Sequence, residues 1–161
     1  MTLVEVVVSM AIIGIVAVVI ISNFRNTQAL RELEGSARDI QATLHKARFQ
    51  AVRMRLNHRV NFIQERSTWY FSIEREDSPG VWNSLAGSTK KSISQKFNVT
   101  VNLPNQMVIF SPLGFISNFN SYQNSISLQS PELQRNRQPD LRVLSVFAGG
   151  AIKYTKTGSE E

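Results

Sequence analysis

Side chains that can bind a metal ion or transfer a proton are few in this sequence. The two histidines, His45 and His58, have no second histidine or carboxylate at the H-x-x-x-H spacing that places two ligands on one helix face. Glu74, Glu76 and Asp77 form a small acidic cluster beside a turn, but the D-x-D-x-D-G pattern of a calcium-binding loop is absent. We therefore predict no metal site, and interpret the acidic cluster as part of a solvated loop.

No catalytic motif occurs in the chain. It contains no G-x-S-x-G, no G-x-G-x-x-G and no P-loop, and no Ser, Asp and His stand in an order typical of a triad. Cysteine is also absent, which excludes a disulfide framework and a thiolate metal site. The sequence therefore predicts a protein that is not an enzyme and uses no cofactor.

Positive charge is the main chemical feature of the chain. The formal net charge is +6, and residues 25–59 carry eight Lys or Arg against three carboxylates. Further basic residues form a candidate surface for binding phosphates: Lys90, Lys91, Lys96, Arg135, Arg137 and Arg142. The arginines do not cluster with aromatic residues as in a groove that binds a nucleic-acid strand. Nucleic acid is therefore a less favoured partner than a membrane surface or solvent.

The first 24 residues differ in composition from the rest of the chain. Between Glu5 and Arg25 there is no charged side chain, and most residues are apolar. As a helix, residues 6–24 would cover roughly 28 Å, which is close to the thickness of the hydrocarbon core of a bilayer. The segment has neither the basic start nor the small-residue cleavage site of a secretory signal peptide. We therefore expect residues 1–24 to be a retained membrane anchor.

Glu5 needs an explanation in such an anchor. Burial of an ionised carboxylate costs several kcal/mol unless a cation pairs with it. Thr2-Leu3-Val4-Glu5, followed by an apolar run with Gly14, resembles the N-terminus of mature type IV pilins and type II secretion pseudopilins. Met1 stands where that family usually has Phe, and Ser22 stands where many members have Pro. The absence of that proline predicts a straighter helix.

This resemblance implies a function and a set of partners. A prepilin peptidase would remove a leader, Met1 would become N-methylated, and an assembly platform would polymerise the chain from the inner membrane into a periplasmic or extracellular filament. In such a helical homo-oligomer the carboxylate of Glu5 neutralises the N-terminal amine of Met1 in a neighbouring subunit. The alternative is a contact within the chain, because the helix dipole also favours a negative charge at the helix start.

After Phe24 the apolar residues recur at alternating spacings of three and four, which predicts one buried stripe on a helix. The stripe consists of Leu30, Leu33, Ala37, Ile40, Leu44, Ala47, Ala51 and Met54. Because no proline precedes Pro79, one helix can run from near residue 2 to about residue 57. We expect a sheet to cover the stripe, with a coiled-coil seam as the alternative.

Beyond Asn57 the pattern changes to the period of two that is typical of strands. Two strands form a hairpin around Glu65-Arg66-Ser67, and five more are predicted at 81–85, 97–103, 107–111, 125–129 and 141–147, with a last one at 151–154. Turns are predicted at 77–80 and 149–150 from their Pro and Gly residues. The sequence thus predicts an α+β fold with four parts: an anchor at 1–24, an amphipathic helix at 25–57, an antiparallel β headpiece at 58–154 and a flexible tail at 155–161.

The headpiece resembles the GspH/FimT-type domain of certain minor pseudopilins and minor pilins. The residues that carry this resemblance are Ala47-Arg48, Ala51-Val52, Trp69, Phe110-Ser111-Pro112-Leu113-Gly114, the late strand at 141–147 and Gly149-Gly150. It implies a filament subunit or, alternatively, a minor priming or tip subunit with an adhesive or DNA-binding role. Gly150-Ala151 stands where that family often has Gly-Arg, which argues against DNA binding. A monomeric bitopic membrane protein is a third hypothesis, but it leaves Glu5 unexplained.

Overall fold

One long helix dominates the structure. The computed structural model describes residues 2–85 and 89–158, with the exception of the side chains of residues 16–23. Helix α1 spans Leu3–Met54, which confirms the predicted long helix. It ends slightly before the expected boundary near residue 57, because Arg55 adopts the left-handed conformation (φ 54°) that commonly closes a helix.

The residues after α1 form two antiparallel sheets, so the α+β class is correct. The strands are β1 (His58–Glu65), β2 (Thr68–Ser78), β3 (Val81–Ser84), β4 (Lys91–Ser92), β5 (Asn98–Asn102), β6 (Met107–Phe110), β7 (Ser125–Gln129), β8 (Leu141–Val146) and β9 (Ile152–Thr157). The first sheet has the order β3-β2-β1-β6, with β4 also paired to β2, and the second has the order β5-β7-β8-β9. A short helix α2 (Pro131–Arg135) and a 3-10 turn (Pro104–Gln106) complete the fold.

Alternating side chains explain why these segments are strands. In β1, His58, Val60 and Phe62 point into the interior, and the residues between them are more exposed. Phe62 pairs with Phe71 of β2 across the sheet, with the ring centroids 6.0 Å apart. The predicted turn between these strands is confirmed, and Arg66 adopts a positive φ of 57° there.

The core lies between the stripe of α1 and the inner faces of both sheets. The buried residues of the predicted stripe are Leu33, Ala37, Ile40, Leu44, Ala47 and Ala51. Leu30 is only partly buried, and Ala29, outside the predicted stripe, is buried beside it. Apart from Ala37, these buried helix residues belong to one hydrophobic cluster with side chains of both sheets, such as Val60 of β1 and Leu144 of β8. The prediction that a sheet covers the stripe is therefore confirmed. The prediction that Met54 is buried in the stripe is wrong, because Met54 lies at the end of the helix and is 40% exposed.

The predicted tail at 155–161 is partly wrong. Thr155 and Thr157 belong to β9 and pair with Val143 and Leu141 of β8. The ladder continues beyond residue 154 because β8 offers backbone partners along its whole length. Residues 159–161 lie outside the described residues.

The predicted anchor at 1–24 is described only in part. Met1 and the side chains of residues 16–23 lie outside the described residues. Within the described ranges, no helix combines the length and the apolar character that crossing a membrane requires. From Ala29 onwards α1 belongs to the globular part of the protein, which together with the sheets and α2 is called the head below.

Candidate assembly surface

The described side chains in the first half of α1, those of residues 3–15 and of Phe24, include many exposed apolar ones. The exposed large apolar residues of this part are Leu3, Val4, Val6, Val7, Val8, Met10, Ile12, Ile13, Ile15 and Phe24. Ile13 is 67% exposed and Phe24 is 68% exposed, whereas Ala29 is already buried against the head. A contiguous apolar surface of this kind is rare on a soluble monomer and marks a site of interaction.

The exposed apolar residues surround the helix and do not form a single stripe. Successive helical residues are rotated by about 100°, so Met10, Ile12, Ile13 and Ile15 point in different directions. All four are more than half exposed. A helix that is apolar on every side requires apolar surroundings on every side. The arrangement therefore suits a lipid bilayer or a bundle of similar helices.

Glu5 takes part in a capping box at the start of α1. The backbone N–H of Glu5 donates to the Thr2 hydroxyl at 3.3 Å, and the Thr2 N–H donates to the Glu5 carboxylate at 3.4 Å. Thr2 and Glu5 have the T-x-x-E spacing that signals such a cap, which our sequence reasoning missed. Met1 lies outside the described residues, so the predicted pairing of Glu5 with an N-terminal amine is untested. The described contact within the chain is with Thr2.

The predicted basic surface is largely occupied by ion pairs. Lys96 pairs with Glu32 at 2.8 Å, Lys91 lies 3.5 Å from Asp39, and Lys90 pairs with Glu65. The Lys90 ammonium also lies over the ring of Tyr70, 4.4 Å from its centroid. These lysines therefore form ion pairs with carboxylates, and their charges do not make an unpaired basic patch. Arg135 and Arg137 are exposed at the end of α2.

Arg142 is wrongly placed in the predicted surface, because its side chain is only 1% exposed. It lies on the inner face of β8, in phase with the buried Leu144 and Val146. Its guanidinium donates to the carbonyls of Pro139 and Leu141 at 3.1 and 3.0 Å. Its Nε lies 3.4 Å from the Glu34 carboxylate, which supplies the opposite charge that a buried arginine requires.

Glu34 is the centre of a polar cluster between α1 and the second sheet. Its Oε2 accepts from the Tyr154 hydroxyl at 2.8 Å and lies 3.0 Å from the Lys156 ammonium. Its Oε1 accepts from Arg38 Nε at 2.9 Å. Burial raises the pKa of Glu34, but the hydrogen bonds from Tyr154, Arg38 and Lys156 outweigh it and lower the pKa to about 2. With Arg142, this cluster fixes the direction in which α1 leaves the head.

A second polar contact fixes the other end of the head. Arg48, on α1, donates from Nε to the Gly114 carbonyl at 3.1 Å and from a terminal nitrogen to the Gly149 carbonyl at 3.3 Å. Gly114 and Gly150 have positive φ values of 81° and 77°. A Cβ at Gly150 would lie 2.1 Å from the Gly114 carbonyl oxygen. Three of the segments that carry the headpiece resemblance thus meet at one point of the fold.

The acidic cluster lies in a strand, which corrects the predicted solvated loop. Glu74 belongs to β2 and pairs with Arg59 at 2.6 Å. The Gly80 N–H and the Asn57 side chain donate to Glu76 and lower its pKa. Hydrogen bonds from Arg75 and Asn83 lower the pKa of Asp77 in the same way. These carboxylates are committed to protein donors.

The histidines lie apart from any group of metal ligands in the described ranges. His58 is buried and its Nδ1 donates to the Leu56 carbonyl at 2.9 Å, whereas His45 is exposed on α1. Within residues 2–85 and 89–158, no three His, Asp or Glu side chains are placed to hold a metal ion.

The candidate functional surface is therefore the apolar first half of α1, which extends from the head. Comparisons of the chain with protein-family models, with curated proteins and with solved structures find no match.

Proposed function

We propose that the chain is a structural subunit of a filament of the type IV pilus-like or type II secretion pseudopilus kind. The first halves of α1 from many copies would pack into a central bundle, and the heads would form the outer shell. The observation that carries this proposal is the exposure of apolar side chains on every side of α1 over residues 3–15. Their burial between neighbouring helices, at about 25 cal/mol per Å², would drive assembly.

The connection between α1 and the head suits this role. A filament transmits force from its central helices to its surface only if each head is fixed to its own helix. Here Glu34 connects the middle of α1 to Tyr154 of β9, and Arg48 connects the C-terminal part of α1 to Gly114. The stripe between them is buried against both sheets. The head would therefore follow any rotation of α1 during assembly.

Before assembly the same apolar helix would lie in the inner membrane, with the head in the periplasm. The resemblance of Thr2-Leu3-Val4-Glu5 to the pilin N-terminus supports this stage, and it implies a prepilin peptidase, an assembly platform and N-methylation of Met1. The nineteen uncharged residues 6–24 also match a bilayer in length when helical. The product would be a periplasmic or extracellular filament.

A DNA-binding tip role finds less support. Of the six basic residues predicted to contact phosphates, Arg142 is buried, and Lys90, Lys91 and Lys96 are paired with carboxylates. These pairs would have to break before the lysines could bind a nucleic acid. An adhesive role would depend on the outer surface of the head, whereas assembly depends on the apolar helix itself.

Cysteine cross-linking tests the proposed assembly. The chain has no native cysteine, so Ile12→Cys places a single thiol on the exposed apolar helix. Lys153→Cys places a matched thiol on the exposed surface of the head. In sheared surface material from cells with the assembly machinery, we expect filaments by electron microscopy and disulfide-linked dimers of Ile12→Cys only. Monomeric Ile12→Cys and an absence of filaments would contradict the proposal.

A further inference from the structure

Helix α1 leaves the head at an edge that includes the end of α2. Phe24 is exposed and Ala29 is buried, so the helix enters the head between these residues. Asn136, directly after α2, donates from its side chain to the Asn26 side chain at 2.6 Å. Gln138 lines a small cleft together with Asn26 and Leu30 of α1. The α2 end therefore lies beside the exit of α1.

Three exposed arginines lie at this edge, and we name them the exit collar: Arg25, Arg135 and Arg137. Glu32 and Glu132 are the carboxylates near Arg25, with which they line a shallow cleft. Glu32 already pairs with Lys96, whose hydrogen bond lowers the pKa of Glu32. In the part of the chain that the structure describes, no residue of the exit collar forms an ion pair. Together with Lys96, the three arginines outnumber Glu32 and Glu132, so the edge carries a net positive charge.

We infer that the exit collar binds the phosphate groups of anionic phospholipids while the subunit is held in the membrane. This inference rests on the proposed function, because it assumes that the apolar half of α1 enters a bilayer. The uncharged segment ends at Phe24 and Arg25 follows at once. When residues 6–24 occupy the hydrocarbon core, the exit collar lies at the level of the headgroups.

The chemistry of arginine fits this ligand. A guanidinium presents several N–H donors in a plane and binds phosphate oxygens through paired hydrogen bonds. A surface of anionic lipids attracts each nearby Lys or Arg by about 1 kcal/mol, which corresponds to about a fivefold change in affinity. Arg25 on α1 is far in sequence from Arg135, the last residue of α2, and from Arg137 just after it, so the fold brings the three to one edge. The binding would set the height of the head above the membrane.

A nucleic acid fits this edge less well. A groove for a single strand needs aromatic side chains on which bases stack, and Phe24, the exposed aromatic residue next to the exit collar, belongs to the apolar helix. The exit collar also lies directly beside the segment that requires lipid or neighbouring helices. A bilayer supplies the apolar surroundings and the phosphates together.

Lipid titration of the full chain in neutral detergent micelles tests the inference. Native mass spectrometry would count phosphatidylglycerol and phosphatidylcholine molecules retained by the wild type, by the triple variant Arg25→Gln/Arg135→Gln/Arg137→Gln and by a control. The control Lys46→Gln/Arg53→Gln/Lys153→Gln removes the same charge from exposed residues elsewhere on the head. We expect preferential retention of phosphatidylglycerol by the wild type and the control, and at least a tenfold weaker apparent affinity in the triple variant.

Each other outcome has a definite meaning. Equal retention of both lipids by the wild type, or an unchanged preference in the triple variant, would overturn the lipid inference and leave the filament proposal intact. Displacement of phosphatidylglycerol by duplex DNA or by millimolar glycerol phosphate would reassign the exit collar to a soluble phosphate ligand. Failure of the wild-type chain to enter lipid nanodiscs would contradict the membrane stage of the proposed function itself.

Discussion

The Tyr154 hydroxyl donates a 2.8 Å hydrogen bond to Glu34 and thereby joins the last strand to the middle of the first helix. The two residues are 120 positions apart in sequence, so the chain must be nearly complete before this contact forms. Arg142, Lys156 and Arg38 surround the same carboxylate. The contact is a structural one, because it fixes the apolar helix to the head that it must carry.

The head should fold without the exposed half of α1. Among the described side chains of the helix, Ala29 is the first buried one, and the hydrophobic cluster from there onwards contains only residues of the head. We therefore expect a fragment that starts at residue 29 to be soluble and monomeric. Sedimentation velocity and circular dichroism check this expectation. Aggregation, or loss of the β signal, would show that the head depends on the N-terminal helix or on neighbouring subunits.

Glu34→Gln should destabilise this head fragment by roughly 3 kcal/mol. The substitution removes the carboxylate charge of Glu34 from beside the buried guanidinium of Arg142, and loss of one member of a buried pair is costly. Urea denaturation measures the free energy of unfolding. Asp39→Asn is the matched control, because Asp39 and Lys91 are both about half exposed or more, and such pairs contribute less than about 1 kcal/mol. Equal losses of unfolding free energy in the two variants would contradict a special role for Glu34.

The contribution of Glu34 should depend on pH. Its pKa is about 2 in the folded protein against an ordinary value of 4.5, so its stabilisation is fully present above pH 4.5 and is lost as the pH falls through 2. Burial and the hydrogen bond to Glu34 raise the pKa of Tyr154 to about 12 from an ordinary value of 10. The stabilisation that Tyr154 contributes is therefore fully present below pH 10 and is lost as the pH rises through 12. We expect the difference in unfolding free energy between wild type and Glu34→Gln to shrink between pH 5 and pH 2. A constant difference would contradict this assignment.

The elements of the fold were predictable because local patterns encode them. The three-and-four spacing from Leu33 to Ala51 predicted the buried face of α1, and the period of two predicted β7 with its observed limits. Helix α2 was missed, although Ser130 followed by Pro131 is a recognisable start signal. Strand β4 has only two residues, which is too short for a periodic pattern.

The contacts of the candidate site were less accessible from the sequence. The burial of Arg142 follows from its phase with Leu144 and Val146, so the strand pattern contained a signal that we did not use. Its partner Glu34 lies 108 residues earlier, and nothing in a single sequence links the two. The capping box between Thr2 and Glu5 is local, and its T-x-x-E pattern was readable.

Gly150→Ala should destabilise the head by at least 2 kcal/mol. An alanine at φ 77° costs roughly 1 to 2 kcal/mol, and its Cβ would lie 2.1 Å from the Gly114 carbonyl oxygen, so the loop must also shift. Gly149→Ala is a close control, because nothing lies within 4 Å of its Cβ position. Thermal denaturation of both variants in the head fragment measures the effect. Similar melting temperatures for the two variants would contradict this prediction, because they would show that the loop at Gly150 accommodates the added methyl group without cost.

Glu5→Gln should block filament assembly while leaving the start of α1 intact. Glutamine serves as well as glutamate at the third helical position of a capping box, so the contact with Thr2 can persist. The substitution therefore removes the negative charge with little effect on the local fold. If Glu5 neutralises the Met1 amine of a neighbouring subunit, that amine would be buried without a counter-charge, at a cost of roughly 3 kcal/mol or more per contact.

Thr2→Ala separates the two roles of Glu5. It removes the hydroxyl that caps the helix, which costs about 1 kcal/mol, but it leaves the carboxylate of Glu5 available to a neighbour. Counting filaments by electron microscopy at equal expression levels should therefore show a near-normal number for Thr2→Ala and almost none for Glu5→Gln. If the capping contact were the main role of Glu5, the order would reverse, because Thr2→Ala breaks the cap and Glu5→Gln preserves it. Filaments of normal number and length in Glu5→Gln would refute pairing between subunits as the device that sets their register.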